Sequence, residues 1–331
     1  MTISIPKRMK QLQKGEGFGN LFMGEADTPV PGPRQVLVRQ RRSLISRGSE
    51  IGRRYRMEES LHPSILGYSS TGDVVAVGPG VDTALIGQRF TVVAPHAEYV
   101  IGDLDSKVMN AMSPIPDSVS YDRAAFAGLV GAGIIWSDIA APKPDEVVVV
   151  MGLGLIGNFV LQAVRKHNPK MLIGVDAIDA RCSLAEEVGA DLTINIREHD
   201  PVERVKELTD GKGAHLVMEC VGGPAGVKSF PQALAMTRKL GRVHLISLYQ
   251  EQPLPLDSGA LQGRMVFGGY FIDLETTDHW WKEEGMRRVA AGEVEVDKLH
   301  THTFKPDQAR EAYDLLHDRL AEAMGVLFDW D

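Results

Sequence analysis

Cysteine is almost missing: only Cys182 and Cys220 occur among 331 residues. That excludes a disulfide framework and a cluster of zinc-binding thiolates. Basic residues are outnumbered, 36 Lys and Arg against 44 Asp and Glu for a net charge of −8. That acidity is spread thinly and argues against a nucleic-acid partner. The N-terminal stretch MTISIPKRMKQLQKGEG lacks the apolar core of a secretory signal. The longest uncharged, largely apolar run, AAFAGLVGAGIIWS from Ala124 to Ser137, falls short of the roughly 20 residues that span a bilayer. No tandem repeat or low-complexity linker occurs. A cytoplasmic, soluble protein without a membrane partner is therefore expected. Its length suggests two domains, and its 44% hydrophobic residues suffice for sizeable cores.

What is present divides into two textures. From Val36 to about Val100 come short strand-like runs, QVLVRQ, TGDVVAVG, GQRFTVVAP and HAEYVIGD, punctuated by Gly and Pro. Such spacing predicts a small β-rich barrel or sandwich. After Asp122 the pattern changes. DEVVVVMG reads as a strand buried on both faces of a parallel sheet. Ile156, Phe159, Val160, Ala163 and Val164 then form the stripe of an amphipathic helix. Strands (MLIGVD, LTINI, AHLVMECVG, RVHLISL) and helices (ARCSLAEEVG, VERVKELTD) go on alternating. That alternation predicts an α/β, doubly wound parallel sheet with right-handed crossovers.

Gly152, Gly154 and Gly157 stand in G-x-G-x-x-G spacing, within GLGLIG, between predicted strand and helix. The glycines would make a tight turn, let backbone approach a pyrophosphate and allow close helix–strand packing. The helix N-terminus beyond, at Leu155 and Ile156, supplies free N–H groups for the phosphates. The next strand ends in Asp176, 24 positions after Gly152. An acid there accepts hydrogen bonds from the adenosine ribose and repels a 2′-phosphate, so NAD is expected over NADP. A helix-capping role is the alternative for Asp176. Arg181 is expected to flank the adenine.

Several motifs together resemble those of the medium-chain dehydrogenase/reductase family: GYSSTGDVVAVG with GQRF, HAEYV, GLGLIG, ECVGG and GGYF. The resemblance covers nearly the whole chain. It implies a GroES-like β-rich catalytic domain over residues 1–122, a Rossmann NAD-binding domain over 123–267, and a return to the catalytic domain over 268–331, with nicotinamide held in the cleft between domains. It also implies that Val221 and Leu248 contact the cofactor and that Arg47 binds pyrophosphate. A strand in GRMVFGGYF would pair across a two-fold axis, so a homodimer is expected. The family's metal ligands are replaced. Tyr68 stands where zinc-dependent members have a His, Ser46 replaces the first Cys, and Gly128 falls near the third ligand. No segment is inserted into VVAPHAEYV, where a structural four-cysteine lobe would lie. Ser, Tyr and Gly are poor zinc ligands, so no metal is expected.

Without a metal, a side chain must handle the hydroxyl proton. Four candidates match cleft positions: Ser46, Glu50, Tyr68 and His96. Tyr68 can protonate a developing oxyanion, Glu50 can orient a neighbour or relay a proton, and His96 titrates in a useful range. His300 and His302 alternate on one strand face and are expected to pack rather than bind metal. Trp280 and Trp281 are expected to serve core or dimer packing. The pattern SLISRGSE…GYSSTG resembles zinc-less members acting on sugar, cyclitol or chlorin hydroxyls more than simple alcohol dehydrogenases. An NAD(H)-dependent, zinc-independent oxidoreductase of a polyhydroxylated secondary metabolite is the leading expectation. A zinc-less ene or quinone reductase and a catalytically silent nucleotide sensor are the alternatives.

Overall fold

A computed structural model of the chain describes residues 4–248, 253–254, 256–269 and 280–331, Trp280 by its backbone alone. The chain divides into two units, Met1–Gly128 with Leu274–Asp331, and Leu129–Asp273. Each is built around its own sheet.

In the second unit the strands lie in the spatial order Leu192–Asn195, Met171–Asp176, Val147–Met151, Ala214–Glu219, Thr237–Leu245 and Met265–Gly268. All pairings are parallel. Numbered along the chain this is 3-2-1-4-5-6, the doubly wound order of dinucleotide-binding sheets. The central strand VVVVM is buried throughout. Its side chains alternate between faces. Val148 and Val150 pack with Leu161, Val164 and Leu216 on one side, while Val147 and Val149 join Phe230 and Leu234 on the other. The helix Leu155–Arg165 follows directly, and burial extends beyond its apolar stripe to Asn158 and Gln162.

In the first unit one sheet runs His300–Phe304, Gly325–Asp329, Gln35–Leu44, Ser70–Val77, Arg89–Val92 and Met112–Pro114, with Tyr99–Asp103 also pairing Gln35–Leu44. Residues far apart in sequence thus share a sheet: Leu327 pairs with Leu44 in an antiparallel register. A hairpin, Arg8–Lys14 with Leu21–Asp27, lies outside this sheet. The helix Ala309–Asp318 contributes Tyr313, Leu315 and Leu316 to a core shared with Leu12, Ile51, Tyr55 and Phe328. Ile51 lies in, and Tyr55 directly follows, the helical turn Arg47–Arg54 that carries Glu50.

The apolar run Ala124–Ser137 extends further than its composition suggested. The helical stretch Tyr121–Ala140, 20 residues long, is apolar and long enough by those measures to cross a membrane. However, 78% of its most apolar window is buried inside the protein. Core helices of soluble proteins carry the same composition, because burial rather than lipid selects it.

Candidate active site

The glycine loop adopts the geometry its spacing requires. Gly152 has φ +89°, a left-handed conformation that a side chain would strain. A Cβ on Gly157 would lie 1.7 Å from the Gly152 carbonyl oxygen, so helix and loop meet at glycine contact only. Gly154 caps the helix that Leu155 and Ile156 open, and Asn158 braces the loop by donating to the Leu153 carbonyl at 2.6 Å.

Asp176 ends the neighbouring strand beside this loop. Its Oδ2 accepts the Leu153 N–H at 2.7 Å, and its Oδ1 accepts those of Ala177 at 2.8 Å and Ile178 at 3.0 Å. A carboxylate offers about four lone-pair sites, so capacity remains for a further donor. Arg181 Nη1 lies 3.8 Å from Oδ2. Val221 abuts Gly152, and Leu248, past the end of the adjacent strand, is 58% exposed.

A buried acid, Glu219, organises this end of the sheet and was not singled out from the sequence. It accepts from Val221 N–H at 3.0 Å, from Ser229 Oγ at 2.7 Å and from the Ser247 hydroxyl. Burial pushes its carboxyl up, against the lowering effect of those donors. Its serine partners lie on a later helix and past a later strand, so no local motif marks them.

In the first unit the four proton-handling candidates form one connected cluster. Tyr68 Oη donates to Ser46 Oγ at 2.6 Å. Ser49 Oγ donates to the same oxygen at 2.7 Å. The Ser46 N–H donates to Glu50 Oε1 at 2.8 Å, and His96 Nε2 lies 3.1 Å from Glu50 Oε2. Tyr313 Oη also donates to Oε2. His96 Nδ1 meets Ser43 Oγ at 2.8 Å, which in turn receives Trp330 Nε1–H at 2.9 Å. These links depend on the helical turn Arg47–Arg54, wound so that the Tyr55 N–H reaches the Glu50 carbonyl five residues back. Such widened turns recur at functional sites.

Exposure divides this cluster. Glu50 and His96 are 0% exposed, whereas Ser46 and Tyr68 are partly open. Burial pushes the Glu50 carboxyl up, but the pull of His96 and hydrogen bonds from His96, Tyr313 and Ser46 hold it below the usual range. Burial, together with the Glu50 charge, raises the Tyr313 phenol well above its ordinary value. Tyr313, Ser43 and Ser49 complete the network, and sequence reasoning missed all three. Arg47 opens the helical turn on the exposed side of the unit.

Tyr68 also lines a cavity of about 230 Å³, with hydroxyl, lysine and apolar walls that include Gly128. Ser46 and Tyr68 present neutral hydroxyl oxygens already bonded to each other. The nearby carboxylate and imidazole are sealed from solvent and bonded to Ser46, Tyr313, Ser43 and one another. Zinc takes thiolate, imidazole or carboxylate donors, and the two partly open side chains, Ser46 and Tyr68, are none of these.

Other sequence candidates fall elsewhere. His300 and His302 lie on one face of His300–Phe304, with His300 bonded to Thr303 Oγ1 at 2.8 Å and His302 stacked on Phe304. Trp281 is 3% exposed, and the side chain of Trp280 lies outside the described residues.

Residues 156–288 match the family model described as zinc-binding dehydrogenase. Sorbitol dehydrogenase of Bacillus subtilis (strain 168) is 25% identical over 279 residues, covering 76% of this chain and 77% of that protein. An alcohol dehydrogenase from Escherichia coli CFT073, solved with NADH, superimposes with a TM-score of 0.82 at 20% identity, covering 98% of this chain and 100% of its own. A protein of Sinorhizobium meliloti 1021 bound to NADP gives 0.80 at 21% identity, covering 98% of this chain and 100% of its own. The fold is thus that of medium-chain dehydrogenase/reductase structures: a GroES-like unit and a Rossmann unit.

Proposed function

We propose that this protein is a nicotinamide-dependent oxidoreductase of the alcohol dehydrogenase type, interconverting a secondary alcohol and a ketone without zinc. The observation that carries this reading is the hydroxyl chain Tyr68–Ser46–Ser49 beside a cavity, in a fold shared with NADH- and NADP-bound structures. A bound nicotinamide would supply or accept the hydride. Gly152, Gly154 and Gly157, with the helix opening at Leu155 and Ile156, would hold its pyrophosphate, and Arg47 would add a positive charge. Val221 and Leu248 would contact it, Arg181 would flank the adenine, and the remaining capacity of Asp176 would take a ribose hydroxyl. The negative charge of Asp176 favours NAD over NADP.

In the reductive direction Tyr68 Oη donates its proton to the carbonyl oxygen as negative charge develops there. Ser46 Oγ, 2.6 Å away, turns its own hydrogen toward the phenolate. Ser49 already donates to Ser46 and keeps doing so, which strengthens the Ser46 hydroxyl as a donor, and solvent at the partly open Tyr68 returns the proton after the alcohol leaves. Oxidation runs the same chain backwards. Glu50 and His96, sealed from solvent, act on this chain as positioning residues. Glu50 holds the Ser46 backbone N–H and His96 holds Glu50, without touching substrate.

The substrate read from the motif is a polyhydroxylated secondary metabolite of sugar, aminosugar or cyclitol type. The enzyme is read as a cytoplasmic homodimer. Incubation with a panel of polyols and ketones, following nicotinamide absorbance with NAD(H) and NADP(H), tests the activity and the cofactor. Turnover with NAD(H) after exhaustive chelation is the expected result. A requirement for one zinc per chain, by elemental analysis and reconstitution, would overturn the metal-free mechanism.

A further inference from the structure

The cavity that Tyr68 enters is lined on another wall by Lys107 and Lys282, with Ser113 and Met286 nearby. Its volume of about 230 Å³ lies below the roughly 300–1,000 Å³ of drug-sized sites, so its occupant is small. Lys282 belongs to the helix Trp280–Ala290 and is half-buried. Among the described residues its Nζ donates one hydrogen bond, to the Lys107 carbonyl at 2.8 Å. An ammonium has three donors, and Lys282 has no carboxylate partner among the described residues. Glu283 lines the cavity too, but successive helix residues do not face each other, and its side chain is solvent-exposed. Lys282 therefore borders a small hydroxyl-lined space whose lining also includes the solvent-exposed Lys107, with Glu283 the one acid among its described lining residues.

A half-buried ammonium without a counter-charge is costly. Burial alone lowers the Lys282 amine below its ordinary value, which is the effect a bound anion would reverse. Lysine is suited to this role, because its rotating donors meet phosphate or carboxylate oxygens without a fixed planar geometry.

We propose that the substrate carries an anionic group, a carboxylate or a phosphate, held by Lys282 and Lys107 while its reacting carbon sits at Tyr68. The proposal rests on the oxidoreductase reading and narrows the substrate to an acidic polyol. A polyol at Tyr68 has neutral carbons within reach of the hydroxyl and its charge at the lysine wall. Lys282 would thereby fix which hydroxyl is presented.

The test compares sorbitol, sorbitol 6-phosphate and gluconate as substrates, using wild type, Lys282→Met, Lys282→Arg and Lys107→Met. In wild type, one of the two acidic compounds should exceed sorbitol in kcat/KM. Lys282→Met should cut that advantage by roughly ten- to hundredfold, the range for a lost hydrogen bond to a charged group. The loss should fall mainly on KM, with Lys282→Arg retaining most of the preference. Which acid is preferred separates phosphate from carboxylate. A parallel calorimetric titration with inorganic phosphate and with gluconate, at saturating NADH so that the glycine loop is filled, reads the anion site without turnover. Tighter binding to wild type than to Lys282→Met and Lys107→Met supports the site even if none of the polyols is turned over, a result that would count against the activity alone. Equal kcat/KM for neutral and acidic polyols, or anion affinity unchanged in both methionine variants, overturns the proposal. If Lys282→Met does not fold, Lys107→Met and Lys282→Arg carry the same comparison.

Discussion

One hydroxyl separates Tyr68 from phenylalanine, and the proposed chemistry depends on it. Tyr68→Phe keeps the ring against its neighbours and removes the donor to Ser46. Turnover should fall by roughly 10²- to 10⁴-fold, the usual share of general acid–base catalysis, with NADH affinity unchanged. Steady-state kinetics and a fluorescence titration check both halves, and turnover within threefold of wild type would sink the assignment. Glu50→Gln tests a different role. The carboxylate accepts from the Ser46 N–H, His96 and Tyr313, and an amide nitrogen would turn a donor toward these donors. A loss of about 3 kcal/mol is expected, as when one partner leaves a buried pair. Because the folded pKa of Glu50 lies below its ordinary 4.5, its stabilisation is fully present above that pH. It is lost as pH falls through the lower folded value. Urea midpoints should therefore drop more steeply below about pH 4.5 in wild type than in Glu50→Gln; parallel curves would contradict the pairing. Ser46, Glu50, Tyr68 and His96 were legible because they sit in or beside quotable motifs. Tyr313 was not, since 263 positions separate it from Glu50.

At the scale of elements, the strand–loop–helix from Val147 to Arg165 behaves as a unit. Gly157→Ala places a Cβ where the Gly152 carbonyl stands, 1.7 Å away. The helix must then shift from the loop. Stability should fall by about 1–3 kcal/mol or more, as in overpacked cores, and NADH binding should weaken with it. A melting temperature equal to wild type would show that loop and helix are not locked together. This element was readable because its cues are local: a β-branched run, glycines at fixed offsets and a helical stripe. The hairpin Arg8–Lys14 with Leu21–Asp27 was not read. RMKQLQK carries few apolar residues, and Lys14 is buried with its ammonium bonded to the carbonyls of Gly15 and Gly17. A buried lysine satisfied by backbone oxygens looks, in sequence, like a surface residue.

For the molecule as a whole, the strand Met265–Gly268 closes one edge of the Rossmann sheet. Its continuation through Tyr270 and Phe271 lies outside the described residues. Met265 is 55% exposed, and an apolar open edge invites pairing with another chain. The two-fold dimer is the commonest assembly. Light scattering at micromolar concentration should give about twice the 36.2 kDa chain mass. A monomer mass would refute the dimer, and loss of dimer in Val266→Pro would locate its interface.

The sequence by itself determined the alternating βαβ texture, the glycine loop with its acid at Asp176, and the hydroxyl side chains of Ser46 and Tyr68 in SLISRGSE and GYSSTG. Each of these is written in residues a few positions apart, where backbone geometry and side-chain chemistry act directly. Tertiary structure alone decided which candidates face a cavity and which are sealed. Glu50 and His96 look as reactive as Tyr68 in a string of letters, yet the core of Tyr55, Tyr313 and Phe328 closes over them. It also decided that Lys107 and Lys282, 175 positions apart, share one wall. Burial and charge proximity are sums over everything that packs around a group, and most of those neighbours are distant in sequence.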